Sequence, residues 1–260
     1  MDANPAFDLA TLYHLTEDHY FAATCLTHRR YCAAINAYFI DEHDFPWNLL
    51  FIRLGSAPLG EEMAAALELI RRTLIEVRLV IHEQKVEGLR EVLTGLDFHS
   101  AEKTTAMVLL LSALIPSEGE GDVQVRLTRD LNEWAVPLGN AYAMLPEVVA
   151  HYQARHQRAL DADESLYHFT LSAEGQVSCS LTLSLCNGEA RLNDVGTLIN
   201  LRGRGYATRL IREALHHASS LGAQRCFLEA SEGAVPLYRK LGFERLFDYR
   251  AFVRVALPGL

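Results

Sequence analysis

The second half of the chain predicts an α+β layer fold, a mixed, mostly antiparallel sheet flanked by helices. A smaller α/β half precedes it. Three observations carry this. Residues 177–185 alternate Val, Cys and Leu against Ser and Thr, the two-residue period of a strand. Asn187-Gly188 follows, a pair that tolerates positive φ and so signals a hairpin. Residues 205–221 then set Ala207, Leu210, Ile211, Ala214, Leu215 and Ala218 on one helical stripe, with Gly222 as the stop.

The remaining elements are placed around these. Residues 123–127 alternate as a strand. Residues 129–143 and 146–160 read as helices, the second opening on Pro146, whose missing N–H costs nothing in a first turn. Residues 166–171 and 190–198 are strands. Beyond the long helix come a short strand at 226–230, a short helix from Gly233 to Leu241 stopped at Gly242, and a final strand at 250–257. The order is β-α-α-β-β-β-α-β-α-β. In the first half, 48–53, 77–81 and 104–114 are strand-like, and 60–73 and 86–94 are helical. Residues 1–47, mixed aromatic and polar, read as helical. The similar order of the halves hints at an internal duplication, with no residue-level repeat. Pro116-Ser-Glu-Gly-Glu-Gly-Asp122 is polar and acidic between apolar runs. The expected division is a domain at 1–116, a linker at 117–122 and a domain at 123–260.

Composition narrows the class. The chain has 260 residues and a net charge of −9. Residues 1–122 hold 9 Lys and Arg against 19 Asp and Glu. Phosphate-backbone binding needs clustered basic residues, so an acidic chain argues against a general nucleic-acid binder. The five cysteines form no C-x-x-C pair and no disulfide framework. His216-His217 diverge on a helix, and no other spacing suggests a metal site. The N-terminus lacks a charged start followed by an apolar run, so no signal peptide is expected. The longest apolar run, 106–115, is too short to span a bilayer. A reducing cytoplasmic setting is expected. The acidic first half favours a cationic acceptor, if any.

The sharpest local feature is Leu198-Ile-Asn-Leu-Arg-Gly-Arg-Gly-Tyr-Ala-Thr208. A diphosphate needs several N–H donors converging with no side chain in the way. A helix N-terminus leaves its first N–H groups unbonded and carries partial positive charge. Gly203 and Gly205 let the backbone turn and approach closely. Arg202 and Arg204 add positive charge. Strand before and helix after give the motif its context. The stretch is neither a Rossmann G-x-G-x-x-G nor a Walker loop.

On these residues the sequence resembles the GNAT superfamily of N-acetyltransferases. Arg202-x-x-Gly205-x-Ala207 is similar to that superfamily's acetyl-CoA signature. Further along, Leu228-Glu-Ala-Ser-Glu-Gly-Ala-Val-Pro-Leu-Tyr-Arg-Lys-Leu-Gly-Phe243 is similar to its second signature. The likeness covers 123–255. The first half, through Leu93-Thr-Gly-Leu-Asp-Phe98 and the strand after it, resembles the degenerate partner of tandem GNAT proteins, and no cofactor is assigned to it. The resemblance implies the GNAT fold and an acetyl-CoA-dependent N-acetyltransferase, with acetyl-CoA as cosubstrate and no metal. It implies that main-chain groups of Thr197 and Leu198 pair with the pantetheine arm. The pyrophosphate would lie on Arg202, Gly203, Arg204, Gly205, Tyr206, Ala207 and Thr208, with Ser231 as a further contact or a helix cap. An acceptor amine attacks the thioester directly. A main-chain N–H stabilises the oxyanion, and Tyr238 protonates the departing thiolate. The general base stays open among Asp194, Glu189 and His168, with deprotonation through water as the other route. The acceptor is a small-molecule or peptide amine, and the reading admits a homodimer. A second reading is a catalytically idle acyl-CoA-binding or protein-interaction module of the same fold. A third, nucleic-acid binding through Arg202 and Arg204, runs against the acidity.

Overall fold

The computed structural model describes residues 9–40, 48–54, 64–68, 77–114 and 123–254. Helix α1 spans Leu9–Thr24. Beyond it the expectation of further helix is corrected up to residue 40, and residues 41–47 lie outside the described residues. Strands β1 (Thr27–Cys32) and β2 (Ile35–Phe39) form an antiparallel hairpin instead. Its turn runs through Ala33-Ala34, without the Asn or Gly that marks a hairpin in sequence, and this hid it. Strands β3 (Asn48–Ile52) and β4 (Val77–His82), helix α2 (Glu83–Gly95) and strand β5 (Phe98–Leu110) follow, each at an expected place. Residues 64–68 are helical, and the rest of the helix expected at 60–73 lies outside the described residues. The expected linker at 117–122 also lies outside them. Strand β5 starts earlier than its apolar run, because its residues 99–102 are solvent-facing and break the apolar pattern.

The second half follows the expected order: β6 (Gln124–Thr128), α3 (Leu131–Ala141), α4 (Pro146–Asp161), β7 (Leu166–Ala173), β8 (Gln176–Cys186), β9 (Glu189–Thr197), α5 (Tyr206–Ser220), β10 (Arg225–Ser231), α6 (Val235–Lys240) and β11 (Glu244–Arg254). Asp130 caps α3 by accepting from the Asn132 and Glu133 N–H groups, and Pro146 opens α4. This is the expected α+β arrangement of a mixed sheet with helices. The five cysteines, all among the described residues, form no disulfide. Among the described residues no helix is long and apolar enough to cross a membrane.

The chain divides into two compact units that interleave along the sequence. One comprises residues 1–24, 107–229 and 236–246, the other 25–106, 230–235 and 247–260. This differs from a single cut at 117–122. The reason lies at the two ends. Helix α1 packs on β8, β9 and α4, and β11 pairs with β4. In the second unit β1, β2 and β3 pair antiparallel, β3 and β4 pair parallel, and β4 meets β11. Its core gathers Ile35, Leu50, Ile52, Leu79, Ile81, Leu89, Leu93 and Phe252.

In the first unit, β6 to β9 form an antiparallel meander and β9 pairs with β10 in parallel. The stripe of α5 is buried at Leu210, Ile211, Ala214, Leu215 and Ala218, as the periodicity predicts. Strand β8 departs from its pattern's usual meaning. Its polar residues Ser178, Ser180, Thr182 and Ser184 are as buried as its apolar ones. Cross-strand partners share a face. Ser184 lies opposite Arg191, which bonds Tyr13 of α1, and Thr182 lies opposite His168, which meets Trp134 of α3. The polar face is therefore covered by helices rather than by water.

Candidate functional site

After β9 the chain makes a single 3-10 turn, Ile199–Leu201, and enters α5 through Arg202 to Gly205. Gly203 and Gly205 both sit at φ 79°, in the left-handed region that favours glycine. A Cβ at either would meet nothing within 4 Å, so the space beside the turn is open. Helix α5 has no side-chain cap, and its first internal bond runs from the Arg209 N–H to the Gly205 carbonyl. The N–H groups of Tyr206, Ala207 and Thr208 thus precede the helical ladder and are of the kind that hold an anion. Both arginines have protein partners here. Arg202 donates to the Ala141 carbonyl at the end of α3 (3.1 Å), and Arg204 pairs with Glu174. The Asn140 side chain accepts the Ile199 N–H at 2.8 Å, tying the turn to the same helix end.

Strands β9 and β10 pair only from Glu189 and Arg225 to Leu192 and Leu228. Beyond that, no strand among the described residues pairs with the β9 edge away from β8, and that edge is open to this extent. The Leu198 N–H donates to Ser178 O (3.0 Å) and its carbonyl accepts from Leu201 (2.9 Å), so Leu198 has both main-chain groups committed. Thr197 lies opposite Cys179 and Gly196 opposite Ser180. In an antiparallel ladder successive peptides alternate sides. The Thr197 N–H and C=O and the Val195 C=O therefore point away from β8, to the open edge. The Tyr142 hydroxyl donates to that Val195 carbonyl (3.0 Å). Of the two residues expected to pair with a pantetheine arm, Thr197 presents its groups and Leu198 does not.

Tyr238 of α6 is buried, with its ring edge-on to Phe243. Burial pushes its phenol well above the usual tyrosine range, with Tyr142, Cys179 and Cys226 adding to the effect. Of these, Cys179 meets the Thr197 hydroxyl at 3.1 Å. Burial raises the Cys179 thiol to about 11, so it stays protonated and is no ready nucleophile. Ser231 ends β10. It is not the cap of α6, which starts at Val235, and its carbonyl accepts the Ala234 N–H in the intervening turn.

Of the three base candidates, Glu189 lies at the far end of β9, paired with Arg225. Asp194 lies in a bulge of β9 at φ 55°, where the register slips between Ser180 and Thr182. One carboxylate oxygen accepts from Tyr152 of α4 and the other from Tyr20 of α1 (2.8 Å). His156 Nε2 stands 3.6 Å from the same carboxylate, and its Nδ1 bonds His168 Nε2 at 2.8 Å. Burial lowers both imidazoles, that of His168 to about 3. With both rings neutral, a His168 N–H donating to His156 leaves the His156 Nε2–H facing Asp194, the arrangement that suits a carboxylate. Sequence reasoning missed Tyr20, Tyr142, Tyr152, His156 and Asn140. Only Tyr152 and His156 carried a signal, as an i, i+4 pair on one helix face. Among the described residues no group of three or more His, Cys, Asp or Glu could hold a metal ion.

Comparison with known proteins bears on the fold that carries this geometry. Residues 130–243 match the model of the acetyltransferase (GNAT) family. A GCN5-related N-acetyltransferase from Kribbella flavida superposes with a TM-score of 0.65 at 15% identity, covering 98% of each chain. One from Sphaerobacter thermophilus gives 0.64 at 17%, covering 87% of this chain and 78% of its own. A tandem GNAT protein from the clavulanic acid biosynthesis pathway gives 0.58 at 16%, with 87% and 79% covered. At these identities the likeness is one of fold. No curated protein matches the sequence.

Proposed function

From the premise that residues 130–243 form a domain of the acetyltransferase (GNAT) family, we propose that the chain is an acetyl-CoA-dependent N-acetyltransferase acting on a primary amine. One observation carries the reading. Strand β9 loses its parallel partner after Leu192 and runs on to Thr197, and a 3-10 turn then leads to the two left-handed glycines that open α5. An open strand edge followed by a helix N-terminus suits an extended arm ending in a pyrophosphate. The residues present fit that group. Thr197 offers an N–H and a C=O at the edge, and the open space at Gly203 and Gly205 admits a phosphate against the backbone.

Bound acetyl-CoA would supply the thioester. The chain's own part is to align it and to manage protons. Thr197 orients the arm through its main chain, and Tyr206, Ala207 and Thr208 hold the phosphates through theirs. Tyr238 keeps its proton throughout the neutral range and stands as the donor for a departing thiolate. Asp194, with both oxygens taken by phenols, is poorly placed to accept a proton directly from an amine. That favours deprotonation through water.

Gly205→Glu tests the reading, by calorimetry with acetyl-CoA and by thiol release across a panel of amines. The variant forces a side chain at positive φ and sets a negative charge against the phosphates. Acetyl-CoA affinity should fall at least a hundredfold. Undiminished affinity would remove this turn from the site. Wild-type binding without turnover on any amine would assign the idle acyl-CoA-binding module instead.

A further inference from the structure

Helix α1 lies outside the residues that match the family, yet it is docked onto the polar face of the matched domain at three levels. Tyr13 accepts from Arg191 (3.2 Å) and donates to Glu229 (3.2 Å). Tyr20 donates to Asp194. Arg155 donates to the Thr24 carbonyl (2.8 Å) at the helix end. The middle contact bears on the proposed site. Asp194 is the left-handed residue of the β9 bulge, and the next peptide, Val195–Gly196, turns its carbonyl to the open edge. A left-handed conformation outside glycine persists where the surroundings hold it. Here they do so through the carboxylate, gripped by one phenol from α4 and one from α1.

We infer that Tyr20 is a positioning residue for the reaction proposed above, holding Asp194 together with Tyr152 and so fixing the bulge that sets the Val195 and Thr197 main-chain groups at the open edge. The inference rests on the acetyl-transfer reading for its kinetic consequence. Removing the Tyr20 hydroxyl leaves that carboxylate oxygen facing His156 Nε2 at 3.6 Å, beyond hydrogen-bond distance, and removes one of the two phenols that hold the bulge. Small displacements of groups that align a reacting carbonyl cost rate rather than binding alone.

The test uses the full chain with Tyr20→Phe, Asp194→Asn and the double variant, and Tyr13→Phe as a control on the same helix. Tyr20→Phe and Asp194→Asn should each lower kcat about tenfold or more, and the double variant should lose no more than the worse single one, as coupled groups do. Tyr13→Phe should lower Tm with kcat within twofold of wild type. If Tyr20→Phe folds too poorly, Tyr152→Phe removes the other donor and should behave alike. Tyr20→Phe kinetics equal to wild type would overturn the inference, as would losses in Tyr20→Phe and Asp194→Asn that simply multiply. Should the wild type bind acetyl-CoA but acetylate nothing, the transfer reading fails by itself. The same non-additive pattern in acetyl-CoA affinity would then still support the positioning role, and additive losses would reject it.

Discussion

Tyr238 and Asp194 illustrate how differently single residues announce themselves. Tyr238 belongs to a local run, Pro-Leu-Tyr-Arg-Lys-Leu-Gly-Phe, which forms its own short helix and buries the ring. Asp194 enters the sequence reading only as one of three base candidates. Its partners Tyr20 and Tyr152 are remote in sequence, and nothing near Asp194 marks them. At Tyr238 the chemistry predicts a clean split. Tyr238→Phe keeps the ring against Phe243 and removes only the proton donor, so kcat should fall about a hundredfold or more. Acetyl-CoA affinity by calorimetry should stay within twofold. An unchanged kcat would exclude Tyr238 from proton donation.

Elements were placed well wherever a local period or stop residue defined them. The stripe of α5, the meander from β7 to β9 and the cap at Asp130 are cases in point. The hairpin of β1 and β2 was missed because its turn lacks the residues that signal one. How elements approach one another was also out of reach. At Gly196 an added Cβ would stand 2.8 Å from Leu138 Cδ2 and 3.1 Å from its Cα, so the glycine lets α3 press onto β9. Gly196→Ala should destabilise by about 1–3 kcal/mol through overpacking, visible as a lower Tm. Gly88, inside α2 and with nothing within 4 Å of an added Cβ, is the contrast. Gly88→Ala should raise Tm through helix propensity. A Tm unchanged by Gly196→Ala would show that Leu138 yields freely.

The first unit buries titratable side chains, His156 and His168 among them, and stability should register them through pH. His156 and His168 are held neutral by burial, with folded values below the usual 6.5 and about 3 for His168. Between those limits the unfolded chain binds more protons than the folded one. Stability therefore declines as pH falls through about 6.5, by at most ~1.4 kcal/mol per pH unit for each histidine. Glu189, raised by burial, acts in the opposite sense nearer the carboxylate range, so the comparison belongs above pH 5. Tm should drop between pH 7 and pH 5, and His168→Gln should shrink that drop. An equal drop in both proteins would mean that the pair is not titrating on unfolding.

The sequence by itself determined the order of elements in the second half, the glycine turn before α5 and the family likeness. These are written in neighbouring residues, through periodicity, stop signals and the conformational demands of glycine. The tertiary structure alone decided that β8's polar face is buried, that α1 belongs with the second half, and that Asp194 is gripped by Tyr20 and Tyr152. It also decided that Thr197 rather than Leu198 offers its main chain at the open edge. Each of these depends on which segments meet across long stretches of chain. Pairing of that kind is fixed by the burial and hydrogen bonding of the whole fold, and no local pattern encodes it.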